Sequence, residues 1–89
     1  MDFYIHYTTL PEGLHLEDVV EELNQLLDDT GVVNGGLTLE KGGRIDLDLE
    51  EDKVNPKHAQ VAIKNYLQQA NFPRDTTVEF GCMEIGIYE

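Results

Sequence analysis

An α+β fold in the order strand, helix, strand, strand, helix, strand follows from three features of the sequence. Two stretches repeat apolar residues at three- and four-residue steps, the period of a helix, and other stretches alternate apolar with polar residues, the period of a strand. Gly and Pro stand between these stretches, where the chain has to turn. Neither a repeat nor a linker interrupts the pattern, so one domain is expected over residues 1–89.

The first strand is read over residues 2 to 8, where Phe3, Ile5 and Tyr7 share one side and Tyr4, His6 and Thr8 the other. Leu10-Pro11-Glu12-Gly13 breaks it. Leu16, Val19, Val20, Leu23, Leu26 and Leu27 then form one helical stripe, with Gly31 as the expected stop. The outer side of this helix holds Glu17, Asp18, Glu21, Glu22, Asp28 and Asp29. The first four suit the positive end of the helix dipole, and the last two oppose its negative end.

Asn34-Gly35-Gly36 is read as a turn. After it, Leu37 and Leu39 alternate with Thr38 and Glu40, and Ile45, Leu47 and Leu49 alternate with Arg44, Asp46, Asp48 and Glu50. A two-residue Gly42-Gly43 loop would set Leu39 opposite Asp46 and put carboxylates on the apolar side. A three-residue loop, Lys41-Gly42-Gly43, pairs Leu39 with Ile45, Leu37 with Leu47 and Glu40 with Arg44, and is the expected register.

Asn55-Pro56 opens the second helix, Asn as cap and Pro in the first turn, and Ala59, Ala62, Ile63, Tyr66, Leu67 and Ala70 form its apolar stripe before Pro73. The last strand starts near Thr76 with Val78, Phe80 and Cys82 on one side. Its apolar phase then moves to Met83, Ile85 and Ile87, and a bulge near Gly81 is expected to reconcile the halves. The whole order is that of a ferredoxin-like βαββαβ unit, a four-stranded antiparallel sheet with strands one and three in the middle and two helices on one face. That fold carries many activities and implies none by itself.

Charge narrows the function. Eighteen Asp and Glu stand against six Lys and Arg, a net charge of −12, which disfavours nucleic-acid phosphate as a ligand. The apolar fraction of 40% supplies a core rather than a disordered acidic tail. Acids and bases are also segregated: Glu12 to Asp29 holds seven acids and no Lys or Arg, whereas Lys53 to Arg74 holds four bases and no acid. A lone Cys82 can form no intramolecular disulfide. The opening residues lack a signal peptide's basic and apolar runs, and no 18-residue apolar span exists, so a soluble cytoplasmic protein without a membrane partner is expected.

Candidate chemistry is sparse. Asp46, Asp48 and Glu50 begin like a calcium loop, but Glu51 and Lys57 stand where a glycine and a bidentate Glu are required. Alternate carboxylates on a strand lie about 6.5–7 Å apart, too far to share an ion without help from His6 or Glu79, and no metal or cofactor is expected. His6 lacks a nucleophile and a pocket for acid-base work, and His15 and His58 fall near helix starts. The loop Thr9-Leu10-Pro11-Glu12-Gly13 has no Arg to hold a phosphate. Cys82 reads as a small core residue with no base to activate it. The glycine pairs lack the strand-to-helix setting of a phosphate loop. On these grounds no enzyme activity is expected. Tyr4 alone is too little aromatic surface for RNA, with Asp46, Asp48 and Glu50 where bases would stack.

The expected function is a small acidic interaction domain that binds a basic protein surface, as an inhibitor, immunity protein, antitoxin or nucleic-acid mimic does. Its expected contacts are Tyr4, His6, Asp46, Asp48 and Glu50 on the helix-free face, with Glu17, Asp18, Glu21 and Glu22 as a steering rim. The alternative is a self-associating regulatory or sensor domain binding a small molecule or metal. Met83, Ile85 and Ile87, on an apolar edge, are the expected homodimer strand.

Overall fold

Five strands and two helices are built from this chain, in a computed structural model that describes residues 1–39, 42–81 and 83–88, with the side chains of 37–39 outside that description. Strand β1 (Asp2–Tyr7) leads to helix α1 (Leu16–Leu27) and a short 3-10 turn (Asp28–Thr30). Strands β2 (Gly31–Leu39) and β3 (Gly42–Leu49) form a hairpin, followed by helix α2 (Pro56–Gln69) and strands β4 (Thr77–Phe80) and β5 (Met83–Gly86). The sheet is antiparallel throughout, in the order β2-β3-β1-β4-β5. It therefore has five strands, not the expected four.

Period two does what it should on β1. Phe3, Ile5 and Tyr7 are buried, and Ile45, Leu47 and Leu49 of β3 and Val78 and Phe80 of β4 lie in the same core. Val19, Leu23 and Leu27 of α1 and Ala59, Ile63 and Leu67 of α2 complete that one core, so both helices cover the same side of the sheet. Phe3 and Phe80 stack with centroids 4.9 Å apart, and Tyr7 meets Phe72 edge-on at 6.1 Å. Phe72 is a core residue that no periodic stripe pointed to, because it lies past the end of α2, and Ile87, read as part of the last strand's apolar phase, is buried just beyond β5.

The helix boundaries have local causes. The Asp18 carboxylate accepts from the His15 backbone N–H at 3.3 Å, closing the first turn of α1. Asn55 accepts from the Lys57 N–H at 2.9 Å and Pro56 opens α2, as the sequence predicts. The stop of α1 is a correction. Asp28, at φ 52°, ends the helix, while Gly31 is extended and opens β2. The Lys53 ammonium, 3.4 Å from the Asp29 carbonyl oxygen, places a cation beside this acidic helix end.

The β2–β3 register also differs from expectation. Leu39 pairs with Gly42 and Leu37 with Arg44, so the expected Leu39–Ile45 and Leu37–Leu47 pairs do not form, and Gly42-Gly43 belongs to β3 rather than to a loop. Glu40 and Lys41 themselves lie outside the described residues. Gly42 is needed where it is because its φ is 121° and a Cβ there would stand 2.0 Å from the Tyr7 carbonyl oxygen. The Asn34-Gly35-Gly36 segment is not a turn but part of β2, and the ladder slips between Val33 and Gly35. That slip lets Val33 pair with Leu47 in the core while the chain beyond it continues along β3.

The change of apolar phase near residue 82 has a different cause from the expected bulge. The chain reverses there, with Gly81 at φ 59°, and β5 returns along β4 in the pairs Phe80–Met83, Glu79–Glu84, Val78–Ile85 and Thr77–Gly86. Partners across a ladder share a face, so Met83 and Ile85 fall on the side of Phe80 and Val78. Cys82 lies outside the described residues. Among those described, no helix is long and apolar enough to cross a membrane.

Candidate functional site

The helix-free side of the sheet collects the polar half of every alternating strand. Tyr4 sits between Asp46 on β3 and Glu79 on β4, His6 between Arg44 and Thr77, and Asp2 opposite Asp48. Glu84 on β5 extends the row of Glu79. Asp2, Asp46, Asp48, Glu79 and Glu84 thus surround Tyr4 and His6, on strands whose opposite faces form the core.

Part of this charge is compensated within the face. Arg44 donates to Asp46 through Nε at 2.7 Å and Nη2 at 3.3 Å, and its guanidinium lies 5.2 Å from the centroid of the Tyr4 ring. The Met1 ammonium stands 3.4 Å from Asp48. His6 Nε2 is 2.8 Å from Oε1 of Glu79 and 3.9 Å from Oε2 of Glu84, and the Thr77 hydroxyl donates to the same Glu84 oxygen at 2.9 Å. These side chains are half exposed, so each ion pair contributes only about 0–1 kcal/mol.

The expected contact residues and their expected steering rim lie on two sides of the molecule. Tyr4, His6, Asp46 and Asp48 share the open sheet face. Glu50 lies just past β3, where its carboxylate is 3.3 Å from the Lys53 ammonium in the turn toward α2. Glu17, Asp18, Glu21 and Glu22 belong to α1, which packs on the other side of the sheet. Two of those four have bonds within the helix layer: Asp18 closes the α1 turn, and Glu22 accepts from the Tyr66 hydroxyl of α2. Burial, and then the bond to Glu22, push the Tyr66 hydroxyl well above its ordinary range, so it stays protonated. Beside this pair a cleft of about 550 Å³ opens between Glu12, Leu14, Gln69 and Asn71.

The proposed dimer strand is divided too. β5 is a sheet edge and Met83 is 57% exposed, but Ile85 packs partly against the core and Ile87 is fully buried beyond the strand. Ile87 is corrected to a core residue, because its N–H donates to the Thr76 carbonyl at 3.1 Å and holds it inward. Metal-ligand spacing also falls elsewhere than on Asp46, Asp48 and Glu50. Among the described residues, the His, Cys, Asp and Glu side chains that converge closely enough are His6, Glu79 and Glu84, whose donor atoms lie within 4.8 Å of one another. Glu84 was missed in sequence because it joins the face only through the β4–β5 reversal, and the phase change after Phe80 was the signal for it.

Comparison with protein-family models, with curated proteins and with solved structures returns no match.

Proposed function

We propose that this protein is a small acidic interaction module whose helix-free sheet face docks a basic protein surface. The observation that carries the reading is the convergence of Asp2, Asp46, Asp48, Glu79 and Glu84 around Tyr4 on one face of a sheet whose other face is the core. Such a face offers an aromatic centre for burial and carboxylates to meet Lys and Arg. The net charge of −12 adds long-range steering, which raises association rates by about 10–10³ at low salt. In this reading the α1 acids contribute to the field rather than to the contact, since they lie on the far side. Strands β2-β3-β1-β4 with both helices in one core support a ferredoxin-like βαββαβ unit extended by β5. A cytoplasmic, non-catalytic role such as inhibitor, immunity protein or antitoxin accords with this surface.

Affinity capture from the lysate of the source cell tests the reading. The wild type is expected to retain a basic protein at low ionic strength and to release it as salt rises. Asp46→Lys with Glu79→Lys should abolish capture, while Glu17→Lys with Glu21→Lys should slow association and leave the complex intact. Recovery of no basic protein, or capture lost equally with the α1 pair, overturns it. Self-association through β5 is the second reading, supported by exposed Met83 on an edge strand. A sedimentation run on the protein alone separates the two.

A further inference from the structure

We propose that His6, Glu79 and Glu84 form a binding site for a first-row divalent metal ion of the zinc class. The site goes beyond the docking reading and does not depend on it. Three adjacent strands supply one donor each, β1 the imidazole and β4 and β5 the carboxylates, so the sheet ladder rather than a loop fixes their spacing. Donors around such an ion stand about 2.0–2.2 Å from it, which in tetrahedral coordination places neighbouring donors about 3.3–3.6 Å apart. His6 Nε2 is hydrogen-bonded to the Glu79 oxygen at 2.8 Å, a contact that a bound ion would replace, and lies 3.9 Å from the Glu84 oxygen, and all three donors fall within 4.8 Å. Small rotations of these half-exposed side chains would bring the three donors around a shared ion.

The donor set selects the ion. An imidazole nitrogen with two carboxylate oxygens suits zinc and its neighbours, whereas calcium and magnesium take oxygen shells. Glu84 is already oriented by the hydroxyl of Thr77, the kind of outer bond that holds ligands in place. Gly86, opposite Thr77 in the row of His6, carries no side chain to cover the group, and the half-exposed donors leave room for water or a partner's side chain to complete the coordination.

Calorimetric titration of the full chain with Zn²⁺ tests the assignment, with Co²⁺ absorption as a second readout of a nitrogen and oxygen ligand set. One ion per chain is expected, together with a rise in melting temperature on adding Zn²⁺. His6→Ala and, separately, Glu84→Gln should each weaken binding by at least about tenfold. His58→Ala, on α2, should leave it unchanged. Glu84→Gln changes only an exposed edge strand, so it keeps the test decisive if His6→Ala unfolds the sheet. Absence of a stoichiometric transition with Zn²⁺, or equal weakening by His58→Ala, overturns the site and marks diffuse attraction of cations to carboxylates.

Discussion

The two faces of the sheet are made by the same strands, and a one-residue step along β1 passes from one to the other. Phe3, Ile5 and Tyr7 are locked among helices, while Asp2, Tyr4 and His6 stand among Asp46, Asp48, Glu79 and Glu84 with no helix over them. Free energy is concentrated on the first face, because dispersion and dehydration grow with buried apolar area. Charge is concentrated on the second, where solvent screening keeps each pair weak and the side chains free to meet something else. Apolar burial and surface charge are thus separated by alternation alone. The helix layer does not separate them so cleanly, since Asp18 and Glu22 are at once acidic surface and internal partners.

That contrast can be broken at adjacent or related positions. The largest effect is expected from Phe3→Ala, which removes a fully buried ring stacked on Phe80 and should cost about 3–5 kcal/mol, read as a fall in the urea midpoint. A smaller effect of opposite sign is expected at Thr76, whose side-chain hydroxyl is buried and without a hydrogen-bond partner among the described residues. Thr76→Val replaces that hydroxyl with a methyl group of similar shape and should stabilise the fold by about 1 kcal/mol, measured by thermal melting. Loss of stability in this variant would mean that the hydroxyl is satisfied. The smallest effect belongs to Tyr4→Ala, one residue from Phe3. It forfeits the Arg44 contact and should cost under about 1 kcal/mol in the same urea titration. A cost near that of Phe3→Ala would show that the open face is part of the core.

Much of this architecture was legible in the residues. The α1 and α2 stripes, the Asn55-Pro56 start and the burial pattern of β1 and β3 follow from periods of 3.6 and 2 that side-chain geometry imposes. Legibility failed at glycines. Gly42-Gly43 and Gly35-Gly36 read as turns, yet the first pair is in β3 because Gly42 passes close to Tyr7, and the second is beside a slip of the ladder. A glycine signals an unusual φ or a close approach, and sequence alone does not distinguish them. Gly81 shows the reverse error, where a residue read as a bulge is the start of a reversal.

Of the candidate site, Tyr4, His6, Asp46 and Asp48 were identified in sequence because alternation places them opposite the core. Glu84 was not, and Glu17, Asp18, Glu21 and Glu22, read as a rim on the outer side of helix one, lie on α1 across the sheet from that face. Sequence by itself determined which residues are apolar, at what period they recur, and that the acids outnumber the bases threefold. These are local properties, set by side-chain chemistry and backbone geometry. Only the tertiary structure decided which strands are neighbours, and with them the register of β2 on β3, the fifth strand, and the convergence of His6, Glu79 and Glu84. Such pairings depend on backbone close approach and on where the chain reverses, and both are settled by packing between residues distant in sequence.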